Sequence, residues 1–72
     1  MPSKIIDFSL TQEFIPLIQL LKYTGVAESG AHASQLVTEN EVFCNTIIET
    51  RKRYKVKSGD TITAIGYTIK VK

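Results

Sequence analysis

The sequence predicts an α+β fold: two short packed helices followed by a small, mostly antiparallel sheet. Three observations lead there. Apolar residues recur at helical spacing from Leu17 to Thr24 and again from Ala33 to Val37. From Val42 onward the apolar period falls to two, the period of a strand with one buried face. Turn-forming residues punctuate the chain at Gly25, Asn40, Ser58-Gly59-Asp60 and Gly66.

Ile5 to Leu10 reads as a short strand with Ile6, Phe8 and Leu10 on one face. The first helix is expected to start at Pro16, because proline at the first helical position gives up only an N–H that has no partner there. A start at Thr11 would place Pro16 inside the helix, at a cost of ~3 kcal/mol. Leu17, Leu20, Leu21 and Thr24 then form one buried stripe, and Gly25 closes the helix. Ser29 is the N-cap of a second helix over roughly Gly30 to Thr38. Ala33, Leu36 and Val37 are its buried stripe, His32 and Gln35 face elsewhere with Gly30 or Ser34, and Asn40 ends it in the left-handed conformation. Thr38 and Glu41 match a capping-box pattern, but no apolar helix follows them.

Val42 and Cys44 begin the sheet. Asn45-Thr46 is expected to be a hairpin tip, with Thr46 where glycine would suit the backbone better. Ile47-Ile48-Glu49 returns, Arg51 to Val56 follows, and Ser58-Gly59-Asp60 turns the chain. The segments 61–64 and 67–71, joined at Ile65-Gly66, read as a hairpin with one apolar and one polar face.

The chain has 72 residues, 43% of them apolar and 22% charged, with a formal net charge of +2. This is the composition of one small soluble globular domain over residues 1–72 and not of a disordered chain. A chain of this size buries only ~60% of its unfolded surface, which argues against a deep catalytic pocket. The longest apolar run, Phe14 to Leu17 with Ile18, is far short of the ~20 residues of a membrane span. No signal peptide is expected from the N-terminal residues. Cys44 is the single cysteine, so neither an intramolecular disulfide nor a zinc cluster is expected, and the inferred compartment is the cytoplasm.

Charge is unevenly distributed. Residues 1–50 hold two basic and six acidic side chains, a net of −4; residues 51–72 hold seven basic and one acidic, a net of +6. Five of the seven residues from Arg51 to Lys57 are basic. Such a patch is the footprint of a polyanion-binding surface. It is also what an edge strand protected by lysines would carry, or a face for an acidic protein or membrane. If 51–57 were extended, Arg51, Arg53, Lys55 and Lys57 would share one face, with Lys52, Tyr54 and Val56 on the other. A turn within 51–53 would break that register.

Leu20-Leu21, Gly25, Ser29-Gly30-Ala31-His32-Ala33, Leu36-Val37, Glu49-Thr50-Arg51-Lys52-Arg53, Lys55, Gly59-Asp60 and Gly66 form an ordered series. Over residues 14–71 that series resembles the RNA-binding domain named after small-subunit ribosomal protein S-four, the alpha-L motif. Glu28 to Ala31 and Glu49 to Arg53 are most similar to its stand-alone, ribosome-associated YbcJ-like group. The resemblance implies a non-catalytic module for ribosomal or other structured RNA, and a monomer is the default expectation. RNA would meet the start of the second helix, here Ser29, Gly30, His32, Ser34 and Gln35, and the basic segment Arg51, Lys52, Arg53, Lys55 and Lys57. The helix start would add backbone N–H groups and a partial positive charge. Many family members carry Arg or Lys where this chain has Gly30 and Ser34, so the resemblance shifts weight to Arg51, Lys52 and Arg53. Asn40 and Thr46 stand where glycine is usual; Asn40 tolerates positive φ, whereas Thr46 suggests a different hairpin tip.

The remaining polar inventory is sparse. His32 is either a phosphate or base contact or an exposed helix residue, and it has no partner for a metal. Cys44 reads as a buried, inert thiol. Tyr23, Tyr54 and Tyr67 read as core or rim packing, with Tyr54 the best placed of them to stack on a base. Glu49 is expected to pair with an arginine and orient it. An enzyme is excluded by inventory: one His, one Cys, no glycine-rich phosphate loop, no ligand set and hence no cofactor. A sulfur carrier would end in Gly-Gly, whereas this chain ends Val71-Lys72. The alternative to RNA binding is a protein-interaction module, a ribosome-associated or assembly factor with ribosomal proteins as partners.

Overall fold

The computed structural model describes residues 4–72. In chain order the elements are β1 (Lys4–Phe8), β2 (Ile15–Pro16), α1 (Leu17–Tyr23), α2 (Gly30–Thr38), β3 (Val42–Cys44), β4 (Ile47–Ile48), β5 (Lys55–Val56), β6 (Thr61–Ala64) and β7 (Tyr67–Val71). Two helices pack on a five-stranded sheet of order β1-β7-β6-β3-β4, and β2 pairs with β5 in a separate two-stranded ribbon. All pairings are antiparallel except β1 with β7, which is parallel, with Ile6 opposite Ile69 and Phe8 opposite Val71.

Strand alternation puts Ile62, Ala64, Ile69 and Val71 under the helices. They meet Leu17, Leu20 and Leu21 of α1 and Ala33, Leu36 and Val37 of α2 in one buried cluster with Val42, Cys44 and Val56. The helix stripes are those the spacing predicts, with Thr24 half-buried and bonded through Oγ1 to the Leu20 carbonyl. Burying these side chains is what holds seven- and nine-residue helices, each too short to persist alone.

The helix ends follow local chemistry. Ser29 caps α2, its Oγ accepting from the His32 N–H at 3.1 Å. Asn40, at φ 59°, closes α2: its N–H donates to the Val37 carbonyl and the Glu41 N–H to the Leu36 carbonyl, a Schellman arrangement. Pro16 lies one residue before α1 instead of opening it. Its ψ of 140° is extended, so it ends β2 and serves as the N-cap.

Two further expectations are corrected. The first strand ends at Phe8, although Leu10 still donates to the Lys72 carbonyl at 2.7 Å and stays half-buried on the face of Ile6 and Phe8. The β3–β4 tip lies at Asn45-Thr46 as expected, but Thr46 does not give it a different geometry. Asn45 and Thr46 take φ 52° and 72°, the positive pair that a type I′ turn needs. Asn45 holds it: its Oδ1 accepts from the Thr61 N–H at 2.9 Å, and its Nδ2 donates to Asp60 Oδ1 at 3.2 Å.

Candidate nucleic-acid interface

Residues 51–57 do not form one extended strand. The Tyr54 N–H donates to the Arg51 carbonyl at 3.2 Å, closing a reverse turn over Lys52 and Arg53, and the strand proper is only Lys55–Val56. The single row of Arg51, Arg53, Lys55 and Lys57 is therefore absent, and Lys52 is exposed with the others.

The physical reason lies in the neighbouring helix. The first N–H groups of α1 have no intrahelical acceptor. Here the Leu17 N–H donates to the Tyr54 carbonyl at 2.9 Å and the Ile18 N–H to the Lys52 carbonyl at 3.2 Å. The turn thus supplies the carbonyls that α1 needs and is latched to the helix by its backbone, leaving the Lys52 and Arg53 side chains exposed.

Glu49 fixes the other side of the turn. It is buried, and its carboxylate accepts from the Arg51 backbone N–H at 2.9 Å, from Arg51 Nε at 2.9 Å and from Nη2 at 3.1 Å. The side-chain bonds from Arg51 hold the Glu49 carboxyl below its usual range, against the opposing effect of burial. This is the arginine pairing expected for Glu49. Its consequence is that Arg51 is oriented and partly neutralised, while its guanidinium also lies 5.0 Å from the centre of the Tyr54 ring. The Tyr54 phenol, beside the Cys44 sulfur and partly buried, is pushed up to about 12, so it stays neutral and adds no negative charge to the patch. Burial pushes the Cys44 thiol up, which keeps it unreactive.

Two grooves meet at Arg53. One, about 490 Å³, is lined by Arg51, Arg53, Tyr54, Lys55, Lys57 and Asp60. Asp60 is occupied in it, accepting through Oδ2 from the Lys57 N–H at 2.9 Å and through Oδ1 from Asn45. The other, about 360 Å³, runs between α1 and the turn, with Pro16, Ile18, Lys22, Tyr23, Gly30 and Arg53 along it. The fold therefore brings Gly30, at the start of α2, and Arg53 to one surface although they are far apart in sequence.

The other helix candidates are placed differently. Ser29 is spent on capping. His32 Nδ1 accepts the Glu28 N–H at 3.0 Å, so a neutral ring carries its proton on Nε2, the nitrogen that remains for a ligand. Gln35 donates to Glu39 Oε2 at 3.2 Å, and neither it nor half-buried Ser34 lines either of these two grooves. Lys22 and Tyr23 do line one; the sequence reading missed Lys22 and took Tyr23 for packing ahead of base stacking. Tyr23 is 61% exposed and is not part of the core or rim. The signal was available: residues 19, 22 and 23 lie off the Leu17–Leu20–Leu21 stripe, so helical periodicity sends them outward.

The family model for the S4 domain matches residues 8–72. The chain belongs to the S4 domain family. Within that family it is 39% identical over 57 residues to the "Putative RNA-binding protein YbcJ" of Escherichia coli (strain K12), covering 79% of this chain and 81% of the relative. A YbcJ of Shigella flexneri matches to the same extent. The S4 domain fold here also superposes on the solution structure of YbcJ from E. coli, described as an αL motif involved in RNA binding. The TM-score is 0.73 at 37% identity, over 96% of this chain and 89% of the other. Among the described residues no helix is long and apolar enough to cross a membrane.

Proposed function

We propose that this S4 domain protein, acting over its whole length as one module, binds structured RNA without catalysing a reaction on it. The observation that carries the reading is the latched basic turn. Lys52, Arg53, Lys55 and Lys57 surround a backbone fixed by α1, and Arg53 adjoins Gly30 at the start of α2. A fixed set of cations around a turn matches phosphates at set positions, which is how folded RNA is read by shape. Arg51, already bonded to Glu49, acts more through ordering the turn than through free charge. The names and folds of the YbcJ relatives support the same reading. Ribosomal RNA in the cytoplasm, met by a monomer, is the target this reading favours, with neighbouring ribosomal proteins as secondary contacts.

The test is fluorescence anisotropy with a labelled ribosomal RNA hairpin. Wild type is compared with a variant carrying Lys52→Ser, Arg53→Ser, Lys55→Ser and Lys57→Ser. Binding by the wild type, lost in the variant while its circular dichroism is unchanged, is expected. Equal binding by both would remove the basic turn from the site. Absence of wild-type binding at low salt would leave a protein-interaction role.

A further inference from the structure

The two grooves that share Arg53 differ in chemistry. The one below the basic turn is walled mostly by charged side chains and suits phosphates alone. The one beside α1 has Pro16 and Ile18 in its wall, Tyr23 along one side, Lys22 and Arg53 among its lining residues, and no acidic residue. A phosphodiester backbone has no use for the apolar part, and an apolar peptide has no use for two cations. An occupant with a flat apolar ring attached to an anion uses both.

We propose that this groove receives one unpaired base of the bound RNA, stacked on Tyr23, with the adjoining phosphate met by Lys22 and Arg53; the inference rests on the RNA-binding reading above. The tyrosine is prepared for that role. The residue is 61% exposed, so its ring is open to a stacking partner. Gln19, one helical turn earlier, donates from Nε2 to the Tyr23 hydroxyl at 2.7 Å and restrains the ring along the side of α1. Gly30 contributes no side chain to the groove, and the space where its Cβ would project is open, with no atom within 4 Å. A base is larger than that missing side chain, and glycine at the start of α2 leaves it room. Stacking on an aromatic ring is tolerant of base identity, so the groove selects for an unpaired nucleotide and not for a sequence.

The experiment compares a blunt RNA hairpin, its two strands joined by a non-nucleotide linker so that it offers no unpaired base, with the same hairpin carrying a short single-stranded extension. Dissociation constants are measured at one salt concentration for wild type, Tyr23→Ala and Tyr23→Phe. Tyr23 is exposed, so neither substitution touches the core. Wild type is expected to prefer the extended hairpin by about five- to 150-fold, the size of one base–aromatic stack. Tyr23→Ala is expected to lose that preference, its affinity falling on the extended hairpin and far less on the blunt one, and Tyr23→Phe to keep it. Equal wild-type affinity for the two RNAs, or a Tyr23→Ala loss of the same size on both, would overturn the groove assignment while leaving RNA binding intact. A wild type that binds neither hairpin overturns both readings.

Discussion

Arg53→Ala is the most informative single change at the basic turn. Arg53 lines both grooves, is exposed, and takes part in neither of the ion pairs among the described residues. Its removal therefore leaves the fold alone, within about 0.5 kcal/mol, the usual scale for such surface sites. If Arg53 meets one phosphate, its loss makes the log–log dependence of affinity on salt shallower by about 0.7 to 0.9. Between 1 M and 0.1 M salt that difference amounts to a factor of about five to eight in the dissociation constant. The variant should thus bind about five- to eightfold more weakly than wild type at 0.1 M salt and equally at 1 M. The assay is anisotropy with a blunt RNA hairpin over that salt range. Lys70→Ala serves as the control, since Lys70 is an exposed cation on β7 that lines neither groove. An Arg53→Ala defect of the same size at every salt concentration, or a Lys70→Ala slope change equal to that of Arg53→Ala, would refute the reasoning.

Gly30→Lys should do the reverse on the same blunt hairpin. The new side chain enters open space at a backbone outside the left-handed region, and steepens the salt slope by about 0.7 to 0.9, read in the same titration. Glu49→Gln should unfix Arg51 and lower the melting temperature near neutral pH. Because the Glu49 carboxyl is held below its ordinary value of 4.5 in the folded state, its stabilisation is complete above that value. It fades as pH falls through the lower folded value, so the gap between wild type and Glu49→Gln in thermal melts should narrow as pH is lowered below 4.5. Thr46→Gly should stabilise the protein, because a β-branched residue at φ 72° is strained by ~1–2 kcal/mol, partly offset by glycine's greater freedom when unfolded. A net gain of about 0.5–1 kcal/mol raises the melting temperature by roughly 2–8 °C in a domain of this size, measurable by circular dichroism.

The helices were legible in the sequence because their signals are local: the Leu17–Leu20–Leu21 and Ala33–Leu36–Val37 stripes, the Ser29 cap, and Asn40 at the close. The last hairpin was legible for the same reason, with two alternating runs about Ile65-Gly66. The parallel pairing of β1 with β7 joins the two ends of the chain and leaves no local trace. The shape of the basic segment was hidden similarly. Alternation from Arg51 to Lys57 favours a strand, but α1 demands carbonyls for Leu17 and Ile18, and the turn at Lys52-Arg53 supplies them. The charges at the site were thus readable, and their arrangement was decided by a helix over thirty residues away. Tyr23 and Lys22 were readable from the helix period alone but were overshadowed by the cationic cluster.

The central claim is that RNA meets this S4 domain at the latched basic turn and the adjoining start of α2. An NMR titration of labelled protein with a short ribosomal RNA hairpin, at two salt concentrations, tests it most directly. The account predicts amide shifts confined to Arg51–Lys57, Lys22–Tyr23 and the α2 start at Ser29–His32, weakening as salt rises. Shifts centred on the exposed Ile47-Ile48 edge of β4, or no shifts at low salt from a folded protein, would contradict it.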